Sequence, residues 1–176
     1  MGTKLRLITR TAVLLALLVA FQAVTKPLGQ LVTGSLVNTL LAVSALTVGL
    51  WGGLVVALVS PVLAFLLGIA PQILTVPAIM AGNALFVFLL WLLGRKGKMA
   101  LPAVAVASVA KFLALYALVN FLICGVLAES LLSAGLLKAP MLLSMPATFS
   151  WPQLITALIG GSIGLLIWKI IKKSGV

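Results

Sequence analysis

Few residues in this chain can carry chemistry. It has no His and no Asp, Glu129 is its single acidic residue, and Cys124 and Tyr116 each occur alone. Paired-carboxylate hydrolysis, carboxylate-held magnesium, histidine triads and histidine zinc sites therefore lack their parts. A lone thiol makes no internal disulfide and no thiolate metal cluster, and among apolar neighbours Cys124 reads as packing. No enzyme activity, cofactor or metal centre is expected. What remains is recognition chemistry: the amides and hydroxyls of Gln30, Asn38, Asn83, Asn120, Gln153 and Thr156, the aromatic rings of Tyr116 and Trp151, and the ammonium of Lys111.

The elements that must position these groups are membrane helices. With 64% apolar and 7% charged residues, and a mean hydropathy of +1.37, no soluble domain could hide so much apolar surface. The apolar runs predict an all-α, integral membrane bundle of six transmembrane helices, at about 7–24, 36–50, 52–70, 77–94, 101–127 and 150–170, forming one domain over 1–176. Nine of the twelve basic residues separate these runs in three clusters: Lys4, Arg6 and Arg10; Arg95, Lys96 and Lys98; and Lys169, Lys172 and Lys173. Six crossings put all three clusters on one side, which the positive-inside rule makes cytoplasmic, with both termini inside. Only Lys26 and Lys138 are then left to the outer loops. The first 24 residues imitate a signal peptide, but the charge balance needs them as a retained first helix. The formal charge of +11 is read as topology signal and attraction to anionic lipids, and no nucleic-acid-binding module accompanies it.

Between the first two spans, Thr25–Ser35 contains Pro27, Gly29 and Gly34 and is expected to be an ordered outer loop. A similar connection surrounds Pro71, Gln72 and Pro77. Gly49, Gly52 and Gly53 permit a tight inner turn between the second and third spans. The longest outer connection, 128–149, keeps many Leu and Met residues, as expected of a packed lid or an interfacial segment. Glu129 lies near a helix end in this stretch and reads as a solvated carboxylate. No inverted internal repeat is visible, which weighs against the common secondary carriers. No acidic relay crosses the membrane, which weighs against a proton-coupled pump.

Amides in hydrocarbon need partners, so their depth is informative. Asn38 falls at the outer start of the second span, Asn83 about 9 Å in from the outer end of the fourth, Asn120 in the outer part of the fifth, and Gln153 and Thr156 at the outer start of the sixth. Four helices thus bring polar groups to one depth, with Gln30 and Thr33 above them. The arrangement fits a ligand pocket open to the outside, or interhelical hydrogen bonding alone. Trp151 at the outer edge is a stacking surface for a ligand or an interfacial anchor.

Lys111 is the most demanding of these residues, because an ammonium near the bilayer centre costs on the order of 2.5–3.5 kcal/mol. Glu129, about 27 Å away along a straight helix, cannot compensate it. Three states remain open: snorkelling to the interface, bonding to neutral groups with or without its proton, and contact with an anionic ligand. On an α-helix, Lys111 and Asn120 lie on opposite faces, and Tyr116 is about 40° from Asn120 and its better companion.

Ala12, Ala16 and Ala20 recur every fourth residue and form a small-residue ridge along the first helix, a surface that lets another helix approach closely. Gly160 and Gly164 make a similar stripe on the sixth helix, suited to internal packing. This ridge, six helices in under 200 residues, an ordered first outer loop, and the stretch GSLVNTLLAVSALTVGLWGG followed by PQILTVPAIMAGNALFVFLLWLLG between Gly34 and Gly94 resemble the substrate-binding S components of energy-coupling factor (ECF) transporters. The resemblance covers essentially the whole chain and rests on architecture more than on single residues.

The resemblance implies capture of a vitamin-sized micronutrient from outside a bacterial or archaeal cytoplasmic membrane. It implies partners, a transmembrane coupling (T) component and two ATPase subunits, and a role for Ala12, Ala16 and Ala20 at the coupling protein. Release of the cargo would follow toppling of the subunit in the membrane. No Walker A pattern occurs in this chain, so ATP hydrolysis falls to the partners. A structural or assembly subunit with no ligand and a self-contained secondary carrier are the competing readings, and the substrate is left open.

Overall fold

The computed structural model describes residues 2–69, 72–95 and 100–174, and among these it contains helices and no strand. In chain order they are α1 (Thr3–Thr25), α2 (Gln30–Thr47), α3 (Leu50–Leu66), α4 (Val76–Gly94), α5 (Ala100–Leu115), α6 (Ala128–Ser133), α7 (Ala139–Thr148) and α8 (Trp151–Lys173). Short 3₁₀ turns, Lys26–Leu28 and Ile73–Thr75, precede α2 and α4, and a π-helical segment, Tyr116–Val126, continues α5.

Five stretches are long and apolar enough to cross a membrane: Lys4–Leu28, Gln30–Thr47, Ile73–Gly94, Ala100–Val126 and Trp151–Lys173. Leu50–Leu66 is a shorter apolar helix of 17 residues, about 25 Å at 1.5 Å per residue. Large apolar side chains line the outside of the bundle, among them Trp51, Leu66, Phe121 and Leu143. A surface of this kind needs hydrocarbon around it.

Local sequence explains the ends of these elements. Pro77, Pro140 and Pro152 stand in the first turns of α4, α7 and α8, where a missing N–H costs nothing. Gly49, at φ +94°, closes α2 by donating its N–H to Ser44 O at 3.2 Å and opens α3. The expected inner turn is thus made by Gly49 alone. Gly52 and Gly53 lie buried inside α3, where a Cβ on Gly53 would stand 2.7 Å from Val87 Cγ1.

Two expectations for the outer side are corrected. Thr25–Ser35 is a 3₁₀ turn followed by the first turns of α2, so the helix begins six residues before the expected 36. Gly34 does not break it, because its bare Cα is what lets Thr156 of α8 come close: a Cβ there would meet Thr156 Cγ2 at 3.0 Å. The fifth span is also not one α-helix, since it widens into i→i+5 bonding after Leu115. Pro71, Lys96 and Lys98 lie outside the described residues.

Packing centres on α2, which has a continuous buried run from Asn38 to Leu46. On its α8 side, Gly160 and Gly164 allow near-backbone contact: Cβ atoms at these positions would lie 2.6 Å from Asn38 Cβ and 2.6 Å from Ala42 Cβ. α1 holds on more lightly. Its buried residues among those described are Thr11, Leu18 and Thr25, one stripe at spacing seven. Ala12, Ala16 and Ala20 are exposed, about 100–180° around the helix from that stripe. A second apolar cluster joins Ala78, Leu115, Val119 and Ile123 to Leu137, Met145 and Phe149. Within 128–149, Leu137, Met145 and Phe149 pack against the bundle while Leu136 and Leu143 are 59% and 84% exposed.

Candidate solute-binding cavity

At the end of the bundle away from Arg10, Arg95 and Lys172, residues of α1 to α5 and α8 surround a cavity of about 310 Å³. Each wall has a local cause. Val37, Asn38 and Gly34 come from the early start of α2; Ile79 and Asn83 are one turn apart on α4; Lys111 and Leu115 are one turn apart on α5. Ser144, Met145, Thr148 and Phe149 close it from α7 and the turn that follows. Burial of Met145 and Phe149 in the second apolar cluster holds that cover in place.

Lys111 lines the cavity and is 3% exposed. Its Nζ donates to Asn38 Oδ1 at 2.6 Å and to Asn83 Oδ1 at 2.7 Å, and stands 5.5 Å from the centroid of the Phe86 ring. These contacts remove the snorkelling state. Asn38 is itself fixed, its Nδ2 donating to Gly34 O at 2.8 Å and to Thr156 Oγ1 at 3.4 Å. Thr156 Oγ1 in turn donates to Gln153 O at 3.2 Å. Two helices, α2 and α4, therefore hold the nitrogen from α5 with uncharged oxygens. Glu129, in the first turn of α6, is exposed and takes no part. An ammonium has three N–H donors. In its protonated form, with two taken by amides, one is left for a group entering the cavity.

The expected site residues divide sharply. Gln30, Asn38, Asn83, Lys111 and Gln153 line the cavity. Thr156 is fully buried behind Asn38 and positions it. Asn120 is not a lining residue: its Nδ2 reaches Phe149 O at 3.4 Å, tying the π-helical segment to the cover. Tyr116 is 48% exposed, stacked at a tilt on Phe112 with ring centroids 5.9 Å apart, and faces away from the site. Trp151 is 60% exposed at the start of α8 and does not line this cavity. Asn120 was expected on the face opposite Lys111 with Tyr116 as its companion, and both lie off the cavity that Lys111 lines.

Three further residues were not among those expected. Gln22, Gln72 and Lys26 line the cavity, and the side-chain oxygens of Gln22 and Gln72 are buried without a hydrogen-bond partner. Lys26 Nζ donates to Gly68 O at 2.7 Å, joining the first connection to the end of α3 at the rim. A sequence signal existed for one pair: Gln22 is the amide of the first span and lies one helical turn before Lys26, so the two share a face. The cavity thus offers an N–H donor at its base, amide groups around its wall and apolar contact between them. That is the make-up of a small-molecule recognition site. No protein-family model, curated protein or solved structure matches this chain.

Proposed function

We propose that the protein is a membrane-embedded, high-affinity solute-binding subunit of an ECF-type importer. It captures a vitamin-sized micronutrient from outside for ATP-driven uptake by a separate module. The reading takes six crossings, α1, α2, α3, α4, α5 with its π-helical extension, and α8, with both termini on the cytoplasmic side of a bacterial or archaeal membrane. Its partners are a transmembrane coupling component and two ATPase subunits.

The observation that carries this reading is the covered cavity of about 310 Å³ with Lys111 at its base. Its size lies at the low end for small-molecule sites, about 300–1,000 Å³, which favours a compact solute. Lys111 favours a carboxylate, phosphate or strong carbonyl acceptor on that solute. The exposed ridge Ala12, Ala16 and Ala20 supports helix docking by the coupling component. Entry and release then require the α7 cover to move, and ligand contact with α7 shifts that equilibrium toward the closed form.

Reconstitution separates this function from its competitors. The purified chain in liposomes is expected to bind its solute and to accumulate none until the coupling component, ATPases and ATP are added. Accumulation by the chain alone would make it a self-contained carrier, and absence of both binding and uptake would make it a structural subunit.

A further inference from the structure

A second cavity, of about 750 Å³, opens at the opposite end of the bundle. α1 and α8 both pack on α2, and the cleft runs between them with Val43 and Leu46 of α2 as its floor. Val13 of α1 and Ile171 of α8 form apolar sides. At its mouth stand three cations from three different helices: Arg10 of α1, Arg95 at the end of α4 and Lys172 of α8. Lys172 Nζ sits 5.1 Å from the centroid of the Trp168 ring, another lining residue, which fixes the ammonium at the cleft edge.

Three like charges line this cleft, and the one acidic side chain of the protein, Glu129, lies in α6 and is not among its lining residues. Among the described residues, no acidic side chain lines the cleft to offset them. Arginine pairs planar forks with phosphate oxygens, and lysine adds a point charge. A small anion would satisfy the mouth and leave Val13, Leu46 and Ile171 uncovered. A phospholipid satisfies both, with its phosphate among the cations and an acyl chain along the apolar walls. The basic clusters also mark this end as cytoplasmic by the positive-inside rule, where the leaflet is anionic.

We propose that the cleft between α1 and α8 is a specific site for one anionic phospholipid of the inner leaflet, its phosphate held by Arg10, Arg95 and Lys172. The inference stands on membrane embedding and basic clustering and is independent of the solute-binding reading. Lipid in this cleft braces α1, which otherwise holds to the bundle through one narrow stripe.

The test is native mass spectrometry of the full chain in detergent, titrated separately with phosphatidylglycerol, phosphatidylcholine and inorganic phosphate. The expected result is a one-to-one phosphatidylglycerol adduct retained about tenfold or more over phosphatidylcholine. The triple variant Arg10→Gln, Arg95→Gln, Lys172→Gln should lose that adduct by about tenfold or more. An equally charged control, Lys4→Gln, Arg6→Gln, Lys173→Gln, should keep it. Val13→Trp narrows the apolar wall without changing charge and should also lower retention. Equal loss in the two triple variants would reduce the site to diffuse charge attraction and overturn the proposal. Displacement of the lipid by millimolar inorganic phosphate, with Val13→Trp indistinguishable from wild type, would identify a small-anion site and overturn it as well.

Discussion

Lys111 is held by two amide oxygens from two other helices, at 2.6 and 2.7 Å. That pairing answers the cost of an amine in hydrocarbon without neutralising it, because Asn supplies a dipole and no charge. A solute that brings an anion or strong acceptor completes the coordination. Lys111→Met is therefore expected to weaken binding of an anionic solute by well over tenfold, since a charge-assisted hydrogen bond is lost. Unchanged affinity by isothermal titration would reduce Lys111 to a packing role. Asn83→Asp makes the complementary test. A carboxylate 2.7 Å from Nζ would pair with the lysine internally, so the melting temperature in detergent should hold or rise while anionic solute binding falls by about tenfold or more. Tighter solute binding in Asn83→Asp would contradict this assignment.

Among the elements, α2 and α8 approach closely through Gly160 and Gly164, and α7 supplies the cover of the cavity. Gly160→Val puts branched carbon where a Cβ already stands 2.6 Å from Asn38 Cβ. It should destabilise the bundle by about 1–3 kcal/mol or more, as overpacking does, read as a lower melting temperature. Ala20→Leu on the exposed ridge should leave the melting temperature unchanged. The cover should slow its amide hydrogen exchange over 139–149 when solute is bound, and equal exchange with and without solute would separate the cover from binding. Much of this was legible in sequence where one cause dominates. Apolar length located the helices, and in-span amides marked Asn38, Asn83 and Gln153, because hydrocarbon admits few polar groups without a reason. The early start of α2 was hidden by Gly34, which reads as a breaker locally and serves as a close contact with Thr156. The π-helical segment has no local signature in its apolar run, yet the placement of Asn120 opposite Lys111 agrees with the cavity, which Lys111 lines and Asn120 and Tyr116 do not. The sequence left Trp151 open, since an aromatic at a helix start suits a ligand stack and an interface equally.

At the scale of the whole molecule, an amide-lined cavity lies at one end, a cleft lined by Arg10, Arg95 and Lys172 at the other, and an exposed alanine ridge runs along α1 between them. This polarity suits a subunit that receives cargo on one face and passes energy through its side. Ala16→Leu should impair module-driven uptake while leaving solute affinity unchanged, because a bulky residue blocks close helix approach without touching the cavity. Intact uptake would remove the ridge from the coupling surface. Topology is checked in a Cys124→Ser background: Lys138→Cys should react with an impermeant thiol reagent in intact cells, and Ser174→Cys should react only after lysis.

The most direct test of a solute held at Lys111 is native mass spectrometry of the detergent-purified chain beside its Lys111→Met variant. The account predicts one small molecule per wild-type chain, released on denaturation and absent from the variant. A wild-type chain that is empty, and stays empty after incubation with a panel of water-soluble vitamins, would contradict it.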